Sequence, residues 1–383
     1  MTRIRALLHN GWWLIASVYL VVDAHLTAAQ LVLVGAAQRI TALVFEVPAG
    51  VLADTVSRKW SLVVSHGLMG TAMMATALVT DFWAVVATQM LWGLSWTFAS
   101  GADVAWVTDE LAQSENISAV LVRSGRAQLT GAAVGMVGFG VLASLTERGT
   151  AMVLAGAAML LLGLYVVLRF HEEHFVPART RRWSASWSIL VRGSALVRRS
   201  RAILLVFAAT FLVNGAADAF ARLYPQCLFD IGFPPDPLLW FTSLSIVTLL
   251  VGALALRTME ARMNDVRAAQ RGYSLACVAG AVGLVGLAVA PEDVSGSAAV
   301  LLVAGIALPL TRTIGTVWVN QQTTADVRAT VHSFLAQAEC AGEIVCGATV
   351  AVVAGAAGLP YALVGCGVLF AVTIYLIRQL GTS

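Results

Sequence analysis

The feature that most constrains this chain is a succession of apolar runs, each about twenty residues long, with the charged residues gathered in the segments between them. In a bilayer every backbone N–H and C=O must be satisfied within the spanning element, and about twenty residues of α-helix cross the hydrocarbon layer. Candidate spanning helices fall near 8–27, 31–53, 61–80, 82–107, 124–146, 150–169, 202–225, 238–257, 268–290, 297–319, 331–355 and 358–378. No strand alternation of the outer-membrane barrel type is present. Composition agrees with this reading. Of 383 residues, 59% are apolar and 12% charged, and the mean hydropathy is +0.82. That leaves too little polar surface to coat a water-soluble globule. The expected fold class is therefore all-α integral membrane with twelve transmembrane helices. The first run, behind Arg3 and Arg5, resembles a signal peptide, but a second begins at Leu31, so the first is read as a retained helix.

Basic residues set the expected orientation. With the N-terminus in the cytoplasm and the helices alternating, the cytoplasmic segments hold 20 of the 24 Lys and Arg residues. The opposite loops hold only Arg148, beside Asp81, Glu147, Asp230, Asp236, Glu292 and Asp293. This is a positive-inside pattern, and it places both termini in the cytoplasm of a bacterial inner membrane. The basic residues form no soluble face interleaved with aromatics, so nucleic acid is not an expected partner. Five scattered cysteines with no CxxC spacing read as small buried hydrophobes.

One long polar stretch, residues 170–201, lies at the midpoint. It contains Pro177, the run Arg179 to Arg182, and Phe175, Trp183 and Trp187. It reads as a cytoplasmic linker between six-helix bundles at 1–169 and 202–383, either touching anionic lipid or acting as connector and topology signal. The halves echo each other faintly: Gly50-Val51-Leu52-Ala53 against Gly252-Ala253-Leu254-Ala255, and Ala127-Gln128 against Ala336-Gln337.

After the second run the chain reads Gly50-Val51-Leu52-Ala53-Asp54-Thr55-Val56-Ser57-Arg58-Lys59. This resembles the loop signature of the major facilitator superfamily, G-x-L-A-D-[R/K]-x-G-R-[R/K], with Thr55 in place of a basic residue and Ser57 in place of a glycine. Phe45 to Gly50, Ser100 to Asp103 and Arg328 to Ser333 resemble one bacterial branch that includes drug/proton antiporters. The resemblance implies two pseudo-symmetric six-helix bundles, transport by alternating access, and a charge latch formed here by Asp54, Arg58 and Asp109. Gly50 would permit close helix packing there. The helix-five antiporter signature is only partly matched: Gly131, Gly135, Gly138 and Gly140 form a small-residue face, but Met136 stands where a proline belongs, and such a face also serves ordinary packing.

Ionisable groups at bilayer depth are costly unless paired or hydrated, so each is a candidate site. Glu46, Asp103, Glu339, Glu343 and the shallower Asp23 are the proton-coupling candidates. Glu339 and Glu343 lie one turn apart and repel, which a shared proton or a cation such as Arg312 would relieve. Asp218 and Arg222 are also one turn apart and can pair. Arg39 and Glu46 are two turns apart, roughly 10 Å along one face, right for lining one cavity. The superfamily's cavity is lined mainly by helices one, four, seven and ten. The polar and aromatic candidates for it are Gln38, Gln89, Trp92, Trp96, Gln128, Asn214, Trp318 and Asn320. Aromatics with few polar groups suit an amphipathic or aromatic small molecule, although tryptophans also populate interfacial belts.

The expected function is a proton-coupled exporter of small lipophilic or amphipathic compounds. The alternatives are a proton-coupled metabolite symporter or a carrier of lipid-like cargo. No HExxH, Walker loop, GxSxG or clustered metal ligands appear, so neither an enzyme nor an ATP-driven pump is expected. No cofactor or metal is expected, only a proton gradient, and the expected assembly is a monomer among membrane lipids.

Overall fold

The computed structural model describes residues 1–99, 117–170, 172, 201–233, 237–260, 266–322 and 325–379. These form helical rods: α1 (Thr2–Val22), α2 (Ala28–Thr55), α3 (Arg58–Thr76), α4 (Phe82–Ala99), α5 (Ile117–Leu145) and α6 (Arg148–Arg169). There follow α7 (Arg201–Asp230), α8 (Leu238–Glu260) and α9 (Val266–Ala288). Next comes α10, a continuous run of Asp293–Val300, a π-helical stretch Leu301–Ala307, and Leu308–Gln322. The last two are α11 (Ala325–Ala357) and α12 (Leu359–Arg378). Nine spans among the described residues are long and apolar enough to cross a membrane. The helices carry exposed apolar faces: on α6, Leu161 and Leu168 are 65% and 68% exposed. Exposed leucine rows of this kind are stable only against lipid.

The helix ends follow local chemistry. Expected at 8–27, α1 instead runs over Thr2–Val22. The amides of Asp23 and Ala24 both turn back onto the carbonyl of Tyr19, and His25 takes a left-handed φ of 52° that no helix continues through. The apolar residues after Val22 thus belong to a turn. Ser57 opens α3, its hydroxyl accepting from the amide of Trp60 at 3.0 Å.

The described residues fall into two compact units. One holds Met1–Leu26, α2 from Ala37 onward, α3 to α6, and the start of α8 up to Thr242. The other holds Thr27–Ala36, α7, α8 from Ser243 onward, and α9 to α12. Within each unit the closest approach of one helix backbone to another is made by glycine. In the first, a Cβ on Gly135 of α5 would stand 2.1 Å from the carbonyl oxygen of Leu7 on α1, and one on Gly11 would stand 2.7 Å from that of Gly135. In the second, a Cβ on Gly342 of α11 would stand 2.1 Å from the carbonyl oxygen of Phe211 on α7, and one on Gly215 would stand 2.5 Å from that of Gly342. Gly215 follows Gly11 by 204 positions and Gly342 follows Gly135 by 207, so one small-residue crossing recurs once per half. Such approaches let backbones touch where apolar burial supplies no drive between helices.

Candidate functional site

In the first unit the chemistry gathers on α1 and α4. His9 and Trp13 on α1, and Trp92 and Trp96 on α4, are each one turn apart and so share a helix face. Gly93 sets the approach of α4: a Cβ there would lie 2.4 Å from the carbonyl oxygen of Gln38, so α4 sits directly on α2. Trp92 packs against Trp12 and Trp13 with ring centroids 4.9 Å away in each case. The imidazole of His9 lies 5.2 Å from Trp92 and 5.4 Å from Trp96. These spacings lie within the favourable aromatic range. Trp12 is fully buried and donates its indole N–H to the carbonyl of Met73 at 3.2 Å, which fixes the back of the cluster. Trp96 is 44% exposed and Trp13 half-buried, so these rings form the reachable face. Above Trp96 stands Arg5, its guanidinium carbon 5.3 Å from the ring centroid, a cation–π contact. Nε1 of Trp92 and Nδ1 of His9 are buried without a hydrogen-bond partner among the described residues. A buried polar atom left unmatched costs about 1–3 kcal/mol, so the Trp92 indole N–H stands ready to donate, and the His9 ring nitrogen to donate or accept according to its tautomer, to a hydrogen-bonding guest.

In the second unit a buried ion pair lies on α7. The Arg222 Nε donates to Asp218 Oδ2 at 3.0 Å, as their spacing on α7 led us to expect, and the side chains are 5% and 11% exposed. The guanidinium lies against Gly35 of α2, where a Cβ would stand 1.9 Å from Nε. Glu343 is buried at the glycine crossing, next to Gly342, while Glu339 is half-buried one turn earlier. Arg312, expected to relieve these two acids, is exposed on α10 and makes no ion pair among the described residues. Trp318 is buried, stacked on Tyr273 with centroids 5.3 Å apart, and its indole N–H has no partner among the described residues. Asn214 bonds back to the carbonyl of Thr210 on its own helix.

The remaining sequence candidates divide. Arg39, Gln38 and Glu46 are half-buried on α2, and all three are partnered. Asp23 makes a two-bond ion pair with Arg148, at 2.7 and 3.1 Å, where α1 ends and α6 begins. Gln89 donates to Thr76 at 3.2 Å inside the α3–α4 contact, and Gln128 is exposed. Asp103, Asp109 and the side chains of Asp54 and Asn320 lie outside the described residues. Gly50 departs from expectation: nothing stands within 4 Å of its Cβ position among the described residues, and the close packing falls instead at Gly11, Gly35, Gly135 and Gly342. Arg58 is half-buried, and its backbone meets an acid the sequence reading did not single out. The Arg58 and Lys59 amides donate to Glu172 Oε1 at 2.8 and 3.2 Å, and the Ser57 hydroxyl donates to Glu172 Oε2 at 2.5 Å. Glu172 thereby caps α3 with a negative charge where the helix dipole favours one. His9 and Trp13, which sequence reasoning missed, share a face of α1 by their i,i+4 spacing, but that spacing alone names no partner helix. No local signal marks Glu172, which reaches Ser57 across 115 positions.

Comparison with known proteins fits this geometry. Residues 4–347 match the Major Facilitator Superfamily profile, so the chain belongs to that superfamily of transporters and is a multi-pass membrane carrier, not an enzyme. An uncharacterized transporter of this type, YxaM of Bacillus subtilis (strain 168), is 23% identical over 229 residues. That match covers 58% of this chain and 57% of the relative, so it spans little more than half the relative's length. Among solved structures, a mutant of the nucleoside transporter NupG superposes with a TM-score of 0.80 at 15% identity, covering 99% of this chain and 97% of that one. A D-xylose-proton symporter superposes with a TM-score of 0.72 at 13% identity, covering 98% and 95%. A bacterial homolog of the lysosomal transporter Spinster gives 0.73 at 12% identity, covering 100% and 96%. These likenesses show the fold.

Proposed function

We propose that this transporter is a proton-coupled exporter of small aromatic or amphipathic compounds working by alternating access, in the bacterial cytoplasmic membrane with both termini inside. The observation that carries the reading is the ring wall on α1 and α4: exposed Trp96 and half-buried Trp13 backed by buried Trp12 and Trp92, with two unmatched polar ring atoms. Stacking surface with few polar groups suits flat apolar solutes and serves a sugar poorly, since a sugar needs many hydrogen bonds. The charge beside the rings is positive. Arg5 already holds the cation–π position on Trp96, which favours neutral or anionic guests over cationic ones. Proton coupling is assigned to Glu46 and Glu343, which lie well inside long apolar helices and are half-buried and buried. Taking up a proton removes the cost of a charge at bilayer depth and so biases one conformation over another.

The test is transport in proteoliposomes under an imposed pH gradient, with a panel of neutral, anionic and cationic aromatic dyes. The expected result is gradient-driven movement of the neutral and anionic dyes, lost in Glu46→Gln or Glu343→Gln. Trp96→Ala should weaken apparent affinity and leave the maximal rate largely intact. Movement that ignores the pH gradient in the folded wild-type protein would refute the coupling. Movement of polar metabolites or lipids but no dye would refute the substrate class.

A further inference from the structure

A groove of about 320 Å³ opens on the second unit, and none of the ionisable residues described above lines it. Its walls are Leu254, Ala255 and Met259 of α8, Gly272 and Leu275 of α9, and Ile306 of α10. All of these lie within helices long and apolar enough to span a membrane. The volume is at the small end of ligand pockets, roughly 300–1,000 Å³. Two backbone features hold it open. Gly272 contributes no side chain, and a Cβ there would stand 2.3 Å from the Cε of Met259. Ile306 projects from the π-helical stretch, a departure from α geometry that recurs at functional sites.

The two ends of the groove differ. At the α8–α9 end stand Arg257 and Arg271, both exposed, with no ion pair or hydrogen bond to any described residue. Arg257 follows Leu254 by three residues and Arg271 precedes Leu275 by four, so each arginine stands on the face of its helix that carries an exposed groove leucine. Those leucines are 64% and 68% exposed. The groove therefore has an apolar floor on spanning helices, and the spacing sets beside it two exposed arginines with no partner among the described residues. A solute entering from water has no route to such a wall except through lipid, whereas a bilayer phospholipid presents the matching parts already oriented. We propose that this groove is a binding site for one anionic phospholipid, its acyl chain along α8 and its headgroup phosphate at Arg257 and Arg271. An arginine beside anionic lipid strengthens binding by roughly fivefold, so the pair gives on the order of thirtyfold preference over a zwitterionic lipid.

The experiment is native mass spectrometry of the full-length protein with phosphatidylglycerol, phosphatidylcholine or inorganic phosphate, with thermal unfolding as the folding control. The expected result is one phosphatidylglycerol retained in preference to phosphatidylcholine. That preference should fall below about threefold in Arg257→Gln/Arg271→Gln with no loss of melting temperature. Ala255→Phe, which fills the groove from its outer face, should release the bound lipid while both arginines remain. Equal retention of the two lipids by the wild type, unchanged preference in the double variant, or competition by millimolar inorganic phosphate would each overturn the proposal.

Discussion

Replacing Gly135 by alanine tests the crossing that organises the first unit. The added Cβ would stand 2.1 Å from the carbonyl oxygen of Leu7 and 2.8 Å from its Cα, both backbone atoms that cannot rotate away. Ordinary contact begins at 3.4 Å, so α5 must retreat from α1 by about 1.3 Å, the difference of the two distances. The same retreat opens the contacts at Gly11 and Gly131. Overpacking of this kind costs about 1–3 kcal/mol. Alanine returns up to about 1 kcal/mol of helix propensity. The net expectation is a loss of about 1–2 kcal/mol. Three residues on, Gly138 has nothing within 4 Å of its Cβ position, so Gly138→Ala keeps the propensity gain alone, about 0.5–1 kcal/mol. The assay is unfolding in detergent micelles followed by intrinsic fluorescence, for which the chain supplies 11 tryptophans. The two variants should move the midpoint in opposite directions, about 2 kcal/mol apart. If both shift the same way, or if Gly135→Ala is the more stable, the glycine face of α5 is not a packing device.

Other substitutions separate structural from transport roles. Gly35→Ala drives a Cβ into Arg222 and should cost about 1–3 kcal/mol, with a double-mutant cycle against Arg222→Gln showing coupling above about 0.5 kcal/mol; additive losses would disprove the contact. Trp12→Ala removes a fully buried ring and should cost about 3–5 kcal/mol. In contrast, Trp96→Ala should change the unfolding midpoint by within about 0.5 kcal/mol while raising the substrate concentration needed for half-maximal transport. Glu172→Gln removes the charge from the α3 cap and should lower stability by about 1 kcal/mol, less so at high salt, read in the same unfolding assay.

What was legible in the chain was whatever depends on neighbours along one helix. The apolar runs marked the rods because lipid demands a continuous apolar length, and the Asp218–Arg222 pair was readable because i,i+4 residues must meet. Trp92 and Trp96 were named from their position, but their partners His9, Trp13 and Arg5 came only with the packing of α1 on α4, which no local pattern encodes. For the same reason Arg312 was named as a cation that could relieve Glu339 and Glu343 on charge alone, although it is exposed on α10 and forms no ion pair among the described residues. Gly50 lies inside α2 like the packing glycines, and no local pattern tells it from Gly11, Gly135 or Gly342, whose backbone approaches depend on the partner helix.

The repeated crossing also shows how one scaffold can hold two chemistries. Shifting by the 204 positions that relate Gly11 to Gly215 maps His9 and Trp13 of α1 onto Val213 and Ala217 of α7, neither of which can stack or hydrogen-bond through its side chain. The same shift maps Asp218 and Arg222 of α7 back onto Leu14 and Val18 of α1, which carry no charge. The glycines that let the helices touch are retained across the repeat, and the side chains facing away from that contact are not. The same backbone contact thus carries a histidine and a tryptophan on α1 in the first unit and a buried ion pair on α7 in the second. The rings of α1 and α4 can therefore vary without disturbing the glycine contacts of α1 with α5 or the buried pair that holds α7 against Gly35.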